Sequence, residues 1–137
     1  MEFAESSATV ALAAQAVGVE EARIAKTLSF LTEEGPVLVV CAGDARIDNA
    51  KYKAFFRTKA KMIPYEQAEE LTGHAPGGVC PFAVKEGVRT YLDDSLRRFD
   101  TVYPAAGNAA SAVRLSPDEL EHAAQNFVCR VDVCKIV

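Results

Sequence analysis

Two segments of the chain carry groups that could bind or stabilise negative charge. Lys26 lies in the apolar run Ile24–Leu28, where the alternation of a strand would place it on the same face as apolar side chains. A lysine on an apolar face is costly unless its ammonium reaches solvent or an anion, so a snorkelling lysine and an anion-binding lysine are equally good interpretations. Gly77–Pro81 has the pattern Gly-x-x-x-Pro, whose backbone amides could converge on a carbonyl or oxyanion, although an isolated match is more commonly an ordinary tight turn.

The sequence contains no signature of conventional nucleophilic, nucleotide or metal chemistry. The glycine-rich loop matches neither a Walker motif nor G-x-G-x-x-G, and no G-x-S-x-G nucleophile elbow is present. His74 and His122 have no recognisable triad partner, and a structural thiol is a better interpretation of Cys80 than a reactive one. The remaining cysteines lie in apolar stretches typical of buried reduced thiols and form no C-x-x-C: Cys41, Cys129 and Cys134. The sequence therefore predicts no cofactor and no metal site.

Positive charge is concentrated between residues 46 and 61. The chain of 137 residues has a net charge of −4, but this window contains six basic residues against one acid, so it carries +5 and the rest −9. Such a patch can contact phosphates while the remaining surface stays acidic, although composition alone favours a solvated helix face. The six basic residues are Arg46, Lys51, Lys53, Arg57, Lys59 and Lys61.

Capping signals and apolar spacing predict four helices. The strongest start is Ser116-Pro117-Asp118-Glu119, which combines a cap serine, a first-position proline and a glutamate that closes a capping box. That helix should run to about Asn126. The other three are a helix capped by Ser6-Ser7 and ended by Gly18, one capped by Asp48 that carries Tyr52, Phe55 and Phe56, and one over Tyr65–Leu71.

Short apolar runs predict the strands that these helices flank. Ile24–Leu31 and Val37–Cys41 are joined by a short turn, which favours an antiparallel hairpin. Further strands are predicted at Phe82–Val84, Val88–Leu92, Thr101–Tyr103, Ala112–Leu115 and Phe127–Val133. This order indicates a mixed α/β sheet in one domain, residues 1–137, rather than a parallel βαβ array. Since no run approaches membrane length and the acidic start is unlike a secretory signal, we expect a cytoplasmic chain without membrane contact.

Several short motifs resemble those of the YbaK/EbsC family, the freestanding relatives of the editing domain inserted in bacterial prolyl-tRNA synthetases. Any one motif is weak, but together they occur in family order and cover nearly the whole chain. The chain begins close to its first predicted helix, whereas many relatives carry an extra N-terminal segment. The motifs are Ile24–Leu28, Gly43–Asp48 with Lys51, Thr72–His74, Gly77–Phe82, Tyr91–Asp93, Pro104–Asn108 and Leu115–Leu120.

The resemblance implies a mixed, mostly antiparallel and partly barrel-like sheet flanked by helices. It also implies hydrolysis of the ester between an amino acid and the terminal adenosine of tRNA, with no cofactor and no metal. Lys26 would be the essential lysine, and the catalytic loop would consist of Gly77, Gly78, Val79, Cys80 and Pro81. The substrate-binding residues would be Thr27, Asp48, Lys51, His74, Phe82, Gly107 and Asn108. The tRNA backbone would contact Arg46, Lys53, Arg57, Lys59 and Lys61.

The resemblance leaves the substrate and the partners open. The histidine-containing pocket motif of alanine-specific relatives is not present around Asn108, which leaves cysteine, serine, threonine or another small amino acid open. The family as a whole implies a tRNA mischarged with a small amino acid, of the Cys-tRNA(Pro), Ala-tRNA(Pro) or Ser/Thr type. The acceptor end of aminoacyl-tRNA is the expected partner, and an aminoacyl-tRNA synthetase is a candidate for a second. Two other interpretations stand beside this one: a non-catalytic accessory module that binds tRNA or a synthetase, and a hydrolase of another small activated acyl ester.

Overall fold

The computed structural model describes residues 21–67, 70–71, 87–104 and 114–136. The strands in these ranges are β1 (Ile24–Thr32), β2 (Gly35–Ala42), β3 (Ala45–Ile47), β4 (Arg89–Asp93), β5 (Tyr103–Pro104), β6 (Phe127–Val131) and β7 (Cys134–Ile136). The helices are α1 (Asn49–Phe56) and α2 (Pro117–Ala123), and 3₁₀ turns cover Glu21–Arg23, Tyr65–Gln67 and Asp94–Arg98. No helix in this part of the chain is long and apolar enough to span a bilayer.

Five strands form a mixed sheet in the order β5-β1-β2-β4-β6, while β3 and β7 form a separate antiparallel ribbon. β1 and β2 pair antiparallel, whereas β5 joins β1, β4 joins β2 and β6 joins β4 in parallel. With two isolated antiparallel bridges, the antiparallel pairings hold slightly more residue pairs than the parallel ones in the described ranges. The predicted mixed, mostly antiparallel α/β fold with flanking helices is therefore confirmed.

The hairpin of β1 and β2 forms the centre of the sheet. Its register runs from Ala25 opposite Ala42 to Thr32 opposite Gly35, and Gly35 takes a φ of 117° that suits glycine at the turn. β2 lies between β1 and β4 in the sheet, and it is buried from Val37 to Ala42. Strand side chains alternate between faces, so one face of β1 carries Lys26, Leu28, Phe30 and Thr32. This surface is called the α1 face below.

α1 packs on that face through an aromatic cluster. Asp48 caps the helix as predicted, since its carboxylate accepts hydrogen bonds from the N–H groups of Ala50 and Lys51 at 3.0 and 3.1 Å. Tyr52 is fully buried, and its ring lies 5.1 Å from that of Phe30 on β1. Other ring contacts join α1 to β4: Phe55 and Phe56 with Tyr91. Ring burial and offset or edge-on contacts thus fix the helix against the sheet.

A buried carboxylate organises the far end of β4. Asp93 accepts a hydrogen bond from the N–H of Ser95 at 2.9 Å and another from the N–H of Val133 at 2.9 Å. The Ser95 hydroxyl in turn accepts from the N–H of Ala42 at 3.0 Å. These bonds tie β4 to β2 and to the segment between β6 and β7, and each gives a buried backbone N–H a hydrogen-bond partner.

Most predicted elements in the described ranges are confirmed, with differences at their ends. The helix after Ser116 has the predicted capping box, but it ends at Ala123, and Asn126 takes a left-handed φ of 59°. The last strand divides into β6 and β7 because the N–H of Val133 donates to Asp93 rather than to a strand. Of the helix predicted over residues 65–71, the 3₁₀ turn and residues 70–71 are described. The helix before Gly18, the strand over residues 82–84 and residues 112–113 of the strand predicted over 112–115 lie outside the described ranges.

Candidate active site

The Lys26 side chain is half-buried near the start of β1, on the α1 face and opposite Cys41 of β2. Among the described residues, no carboxylate forms an ion pair with it. The charge of Lys26 contributes weakly to the lowered pKa of Asp44, which lies in the turn between β2 and β3. The ammonium is therefore held by the sheet yet remains available to an anionic or polar ligand.

An ion pair between Asp44 and Arg98 lies within electrostatic range of Lys26. Arg98 donates from Nη1 to Oδ2 of Asp44 at 3.1 Å and from Nη2 to Oδ1. The pKa of the Asp44 carboxyl is lowered, chiefly by the hydrogen bond from Arg98 and more weakly by the charge of Lys26. Asp44 therefore stays ionised at neutral pH and balances part of the positive charge at this end of the sheet.

Phe99 gives this end of the sheet an aromatic surface with two guanidinium neighbours. The Arg98 guanidinium carbon lies 4.8 Å from the Phe99 ring centroid, and that of Arg23 lies 5.0 Å from it. Arg98 also donates from Nε to the Ser95 carbonyl at 3.0 Å. Arg23 and Arg98 thus meet at the Phe99 ring, and Asp44, which pairs with Arg98, is also influenced by the charge of Lys26.

The residues predicted to bind substrate are distributed over several environments. Thr27 is half-buried on the face of β1 opposite Lys26. Asp48 is occupied as the cap of α1, and Lys51 donates to Asp132 at 3.0 Å and to the Cys134 carbonyl at 3.1 Å. The hydrogen bond to Asp132 raises the pKa of Lys51. Asp48 and Lys51 therefore anchor α1 to the β6–β7 segment, and their role in substrate binding stays a prediction.

The residues predicted to contact the tRNA backbone are all exposed. They lie on β3, on α1 and in the segment that follows α1, and in the described part of the chain none of them is paired with a carboxylate. Lys61 lies at the edge of β1, where its carbonyl accepts from the N–H of Leu31 at 2.8 Å. These residues are Arg46, Lys53, Arg57, Lys59 and Lys61. Their exposure fits a phosphate-binding surface equally well as a solvated one.

The other predicted site residues lie outside the described ranges. They are the catalytic loop of Gly77, Gly78, Val79, Cys80 and Pro81, and the substrate-binding residues His74, Phe82, Gly107 and Asn108. Three described residues beside Lys26 were not predicted: Arg23, Arg98 and Phe99. Only Asp44 carried a sequence signal, as part of the motif Gly43–Asp48.

Three comparisons identify the family of the chain. A family model described as "Aminoacyl-tRNA editing domain" matches residues 4–123. The chain is 49% identical to "Uncharacterized protein YwhH" of Bacillus subtilis (strain 168) over 135 residues, which are 98% of this chain and 85% of that protein. It is 30% identical to the "Putative Cys-tRNA(Pro)/Cys-tRNA(Cys) deacylase EbsC" of Enterococcus faecalis (strain ATCC 700802 / V583) over 109 residues, 78% of this chain and 66% of that protein.

A solved structure agrees with these sequence matches. The "Crystal structure of a putative trans-editing enzyme for prolyl tRNA synthetase" superposes with a TM-score of 0.85 and 32% sequence identity. The match covers 98% of this chain and 85% of that one. The family model, the relative from Enterococcus and this structure all agree with the motif resemblance. The chain belongs to the aminoacyl-tRNA editing domain family, in its YbaK/EbsC group.

Proposed function

We propose that the chain hydrolyses, in trans, the ester bond of a tRNA mischarged with a small amino acid. The family supports aminoacyl-tRNA deacylase activity in general, and EbsC and the trans-editing structure carry names for such activity. The observation that carries the proposal is the Lys26 ammonium, which is half-buried on the sheet and has no ion-pair partner among the described carboxylates. Such a role would place the chain in the cytoplasm, where tRNA is charged.

The reaction needs little assistance because an aminoacyl ester is already activated. In the proposed step, water attacks the carbonyl carbon, and the bond between that carbon and the ribose oxygen then breaks. The ribose oxygen leaves as a hydroxyl after taking a proton from the attacking water, which a substrate hydroxyl or amine could relay. The products are the free amino acid and uncharged tRNA.

Lys26 would orient the terminal ribose or its phosphate against the reacting carbonyl. The positive charges of the neighbouring Arg23 and Arg98 would favour the approach of the polyanionic acceptor end of the tRNA. The negative charge of Asp44 would lower the positive potential there, so that the site does not attract every anion equally. The backbone amides of residues 77–81 are the proposed donors to the developing oxyanion. The substrate would be of the Cys-tRNA(Pro), Ala-tRNA(Pro) or Ser/Thr type.

The test is release of free amino acid from a panel of mischarged tRNAs at catalytic enzyme concentration. We expect turnover on at least one tRNA carrying cysteine, alanine, serine or threonine, and loss of it in Lys26→Ala. Lys135→Ala is the matched control, because Lys135 is an exposed strand lysine outside the family motifs. Full activity of Lys26→Ala would remove this lysine from the mechanism.

Two other functions predict different results in the same assay. A non-catalytic accessory module would bind tRNA or a synthetase without releasing amino acid. A hydrolase of other small activated acyl esters would act on tRNA-free substrates at a rate insensitive to added salt. Lys26 and the loop over residues 77–81 together favour catalysis over binding alone, and the exposed basic residues around α1 are compatible with a tRNA substrate.

A further inference from the structure

A cavity of about 360 Å³ opens where the C-terminal end of α1 meets the turn between β1 and β2. It lies in the size range of small-ligand pockets. Three aromatic rings form one wall, and hydroxyl, guanidinium and carboxylate groups surround them. The lining residues are Thr32, Glu33, Glu34, Phe55, Phe56, Arg57, Thr58, Arg89 and Tyr91.

The aromatic wall has an exposed member. Phe56 and Tyr91 are held at right angles, with ring centroids 5.1 Å apart, and Phe55 meets both edge to face. Phe55 is nevertheless 44% exposed, although it is a large apolar side chain at the end of a helix. An exposed, pre-oriented ring beside hydrogen-bonding groups is the surface on which an unstacked nucleobase binds.

The polar groups of the cavity include both fixed and unpaired members. Arg89 is fixed, since it donates to Glu34 at 2.8 Å and lies 3.4 Å from the Thr32 hydroxyl. Arg57 and Glu33 are exposed, and neither forms an ion pair with another described residue. Arg57 also takes a left-handed φ of 65°, a conformation that favours glycine at a helix end. A guanidinium at this position can bind a phosphate, and a free carboxylate can accept from the amino group of a base.

The cavity lies on the same face of the sheet as Lys26, at the other end of β1. Thr32 is six residues from Lys26, and six steps along a strand correspond to about 20 Å. α1 covers the space between them: Lys51 near its start contacts Cys134, whereas Phe55 near its end lines the cavity. The exposed side chain of Lys53 lies on the helix between these two ends.

From this geometry we infer that the cavity binds an unpaired nucleotide of the tRNA substrate, distinct from the terminal adenosine that Lys26 would serve. The base stacks on Phe55, Arg57 contacts the phosphate, and Glu33 accepts from the exocyclic amino group of the base. Cytosine, adenine and guanine carry that group and uracil does not, so the site favours the first three over uracil. The inference rests on the proposed function, because tRNA is its source of the nucleotide.

The test uses backbone-amide NMR of the ¹⁵N-labelled chain titrated with each nucleoside 5′-monophosphate, together with the affinity for uncharged tRNA. We expect shifts at the cavity residues, weaker for uridine monophosphate than for the other three. Phe55→Ala should weaken tRNA binding about 5- to 150-fold, the range for removing a base-stacking aromatic side chain. Val128→Ala, at a residue 48% exposed on β6, is the control and should leave the affinity unchanged.

Arg57→Gly separates binding from folding. Glycine suits the left-handed conformation, so this variant should be at least as heat-stable as the wild type while it binds tRNA more weakly. Nucleotides that leave the cavity signals unmoved, or a Phe55→Ala affinity equal to that of Val128→Ala, would overturn the inference. This test is independent of deacylation, because the nucleotides contain no aminoacyl ester. Lys26→Ala should therefore retain the nucleotide-induced shifts. A chain that deacylates tRNA but shows no such shifts would refute only this inference.

Discussion

Arg98 donates two hydrogen bonds to the carboxylate of Asp44, which lies 54 residues earlier in the sequence. The pair links the 3₁₀ turn after β4 to the turn between β2 and β3, next to Lys26. The same ion pair therefore stabilises this end of the sheet and contributes to the charge of the candidate active site. A carboxylate in such a pair stabilises the fold only while it is ionised.

Asp44→Asn should lower the free energy of unfolding at pH 7, by less than about 1 kcal/mol because the pair is partly exposed to solvent. The folded-state pKa of Asp44 lies below its unfolded value of about 4. Its contribution is therefore present above about pH 4 and disappears as the pH falls through the folded pKa. Urea unfolding at pH 7 and at pH 2.5 (about one and a half units below the unfolded pKa) measures the difference. Asp100→Asn is the control, and an equal effect of Asp44→Asn at both pH values would contradict the prediction.

Tyr52→Phe should leave the fold intact and raise its stability by about 1 kcal/mol. The Tyr52 ring is fully buried, but its hydroxyl has no hydrogen-bond partner in the described part of the chain. Removing a buried, unsatisfied hydroxyl abolishes its desolvation cost while the ring contacts with Phe30 and Phe56 remain. Denaturant unfolding of this variant, beside Tyr52→Ala, checks it. A destabilised Tyr52→Phe would show that the hydroxyl has a partner.

The cysteines should differ in their reactivity toward iodoacetamide. A hydrogen bond with the Cys41 thiol and burial both raise the pKa of Cys134, and the thiolate is the reactive form. Cys41 is buried too, whereas Cys129 is half-buried on β6. Among these three cysteines, peptide mapping should find Cys129 alkylated before Cys41 and Cys134 in the native chain, and all three alike in urea. Early alkylation of Cys134 would mean that β7 opens readily.

Replacing the basic residues that follow α1 should weaken tRNA binding uniformly across sequences. Removal of one cation that neutralises a phosphate should reduce the slope of log affinity against log salt by about 1. Lys59→Gln and Lys61→Gln test this directly. Arg130→Gln is the control, because Arg130 is paired with Glu121 on α2. If the salt slopes of both lysine variants equal that of the control, these lysines are solvated and do not contact tRNA phosphates.

Local signals predicted much of this fold. The Asp48 cap, the Ser116 capping box and the β1–β2 hairpin each depend on residues a few positions apart, and each is present. The parallel pairing of β2, β4 and β6 joins strands distant in sequence, so it left no short-range pattern. Nor does any local pattern report that Asp93 accepts from Val133, which ends β6 before the predicted position.

In the candidate site, too, local sequence signals identified some residues and long-range contacts determine the others. Lys26 was singled out because an isolated cation within an apolar strand is costly, and the family resemblance then favoured an anion-binding lysine over a snorkelling one. Arg98 and Phe99 look like ordinary surface residues of a turn, and only tertiary structure pairs Arg98 with Asp44 of a family motif. Lys51 matched a family motif, but its two hydrogen bonds to the β6–β7 segment depend on residues more than 80 positions away.

The even separation of Lys26 and Thr32 on β1 restricts how this strand can change in length. Inserting or deleting a single residue between them would turn one of the two side chains to the opposite surface of the sheet. A two-residue change would keep both orientations but alter their spacing by about 7 Å. Insertions and deletions that preserve both positions are therefore confined to the neighbouring loops. Substitutions within β1 disturb the two side-chain orientations less than an insertion or a deletion in the strand.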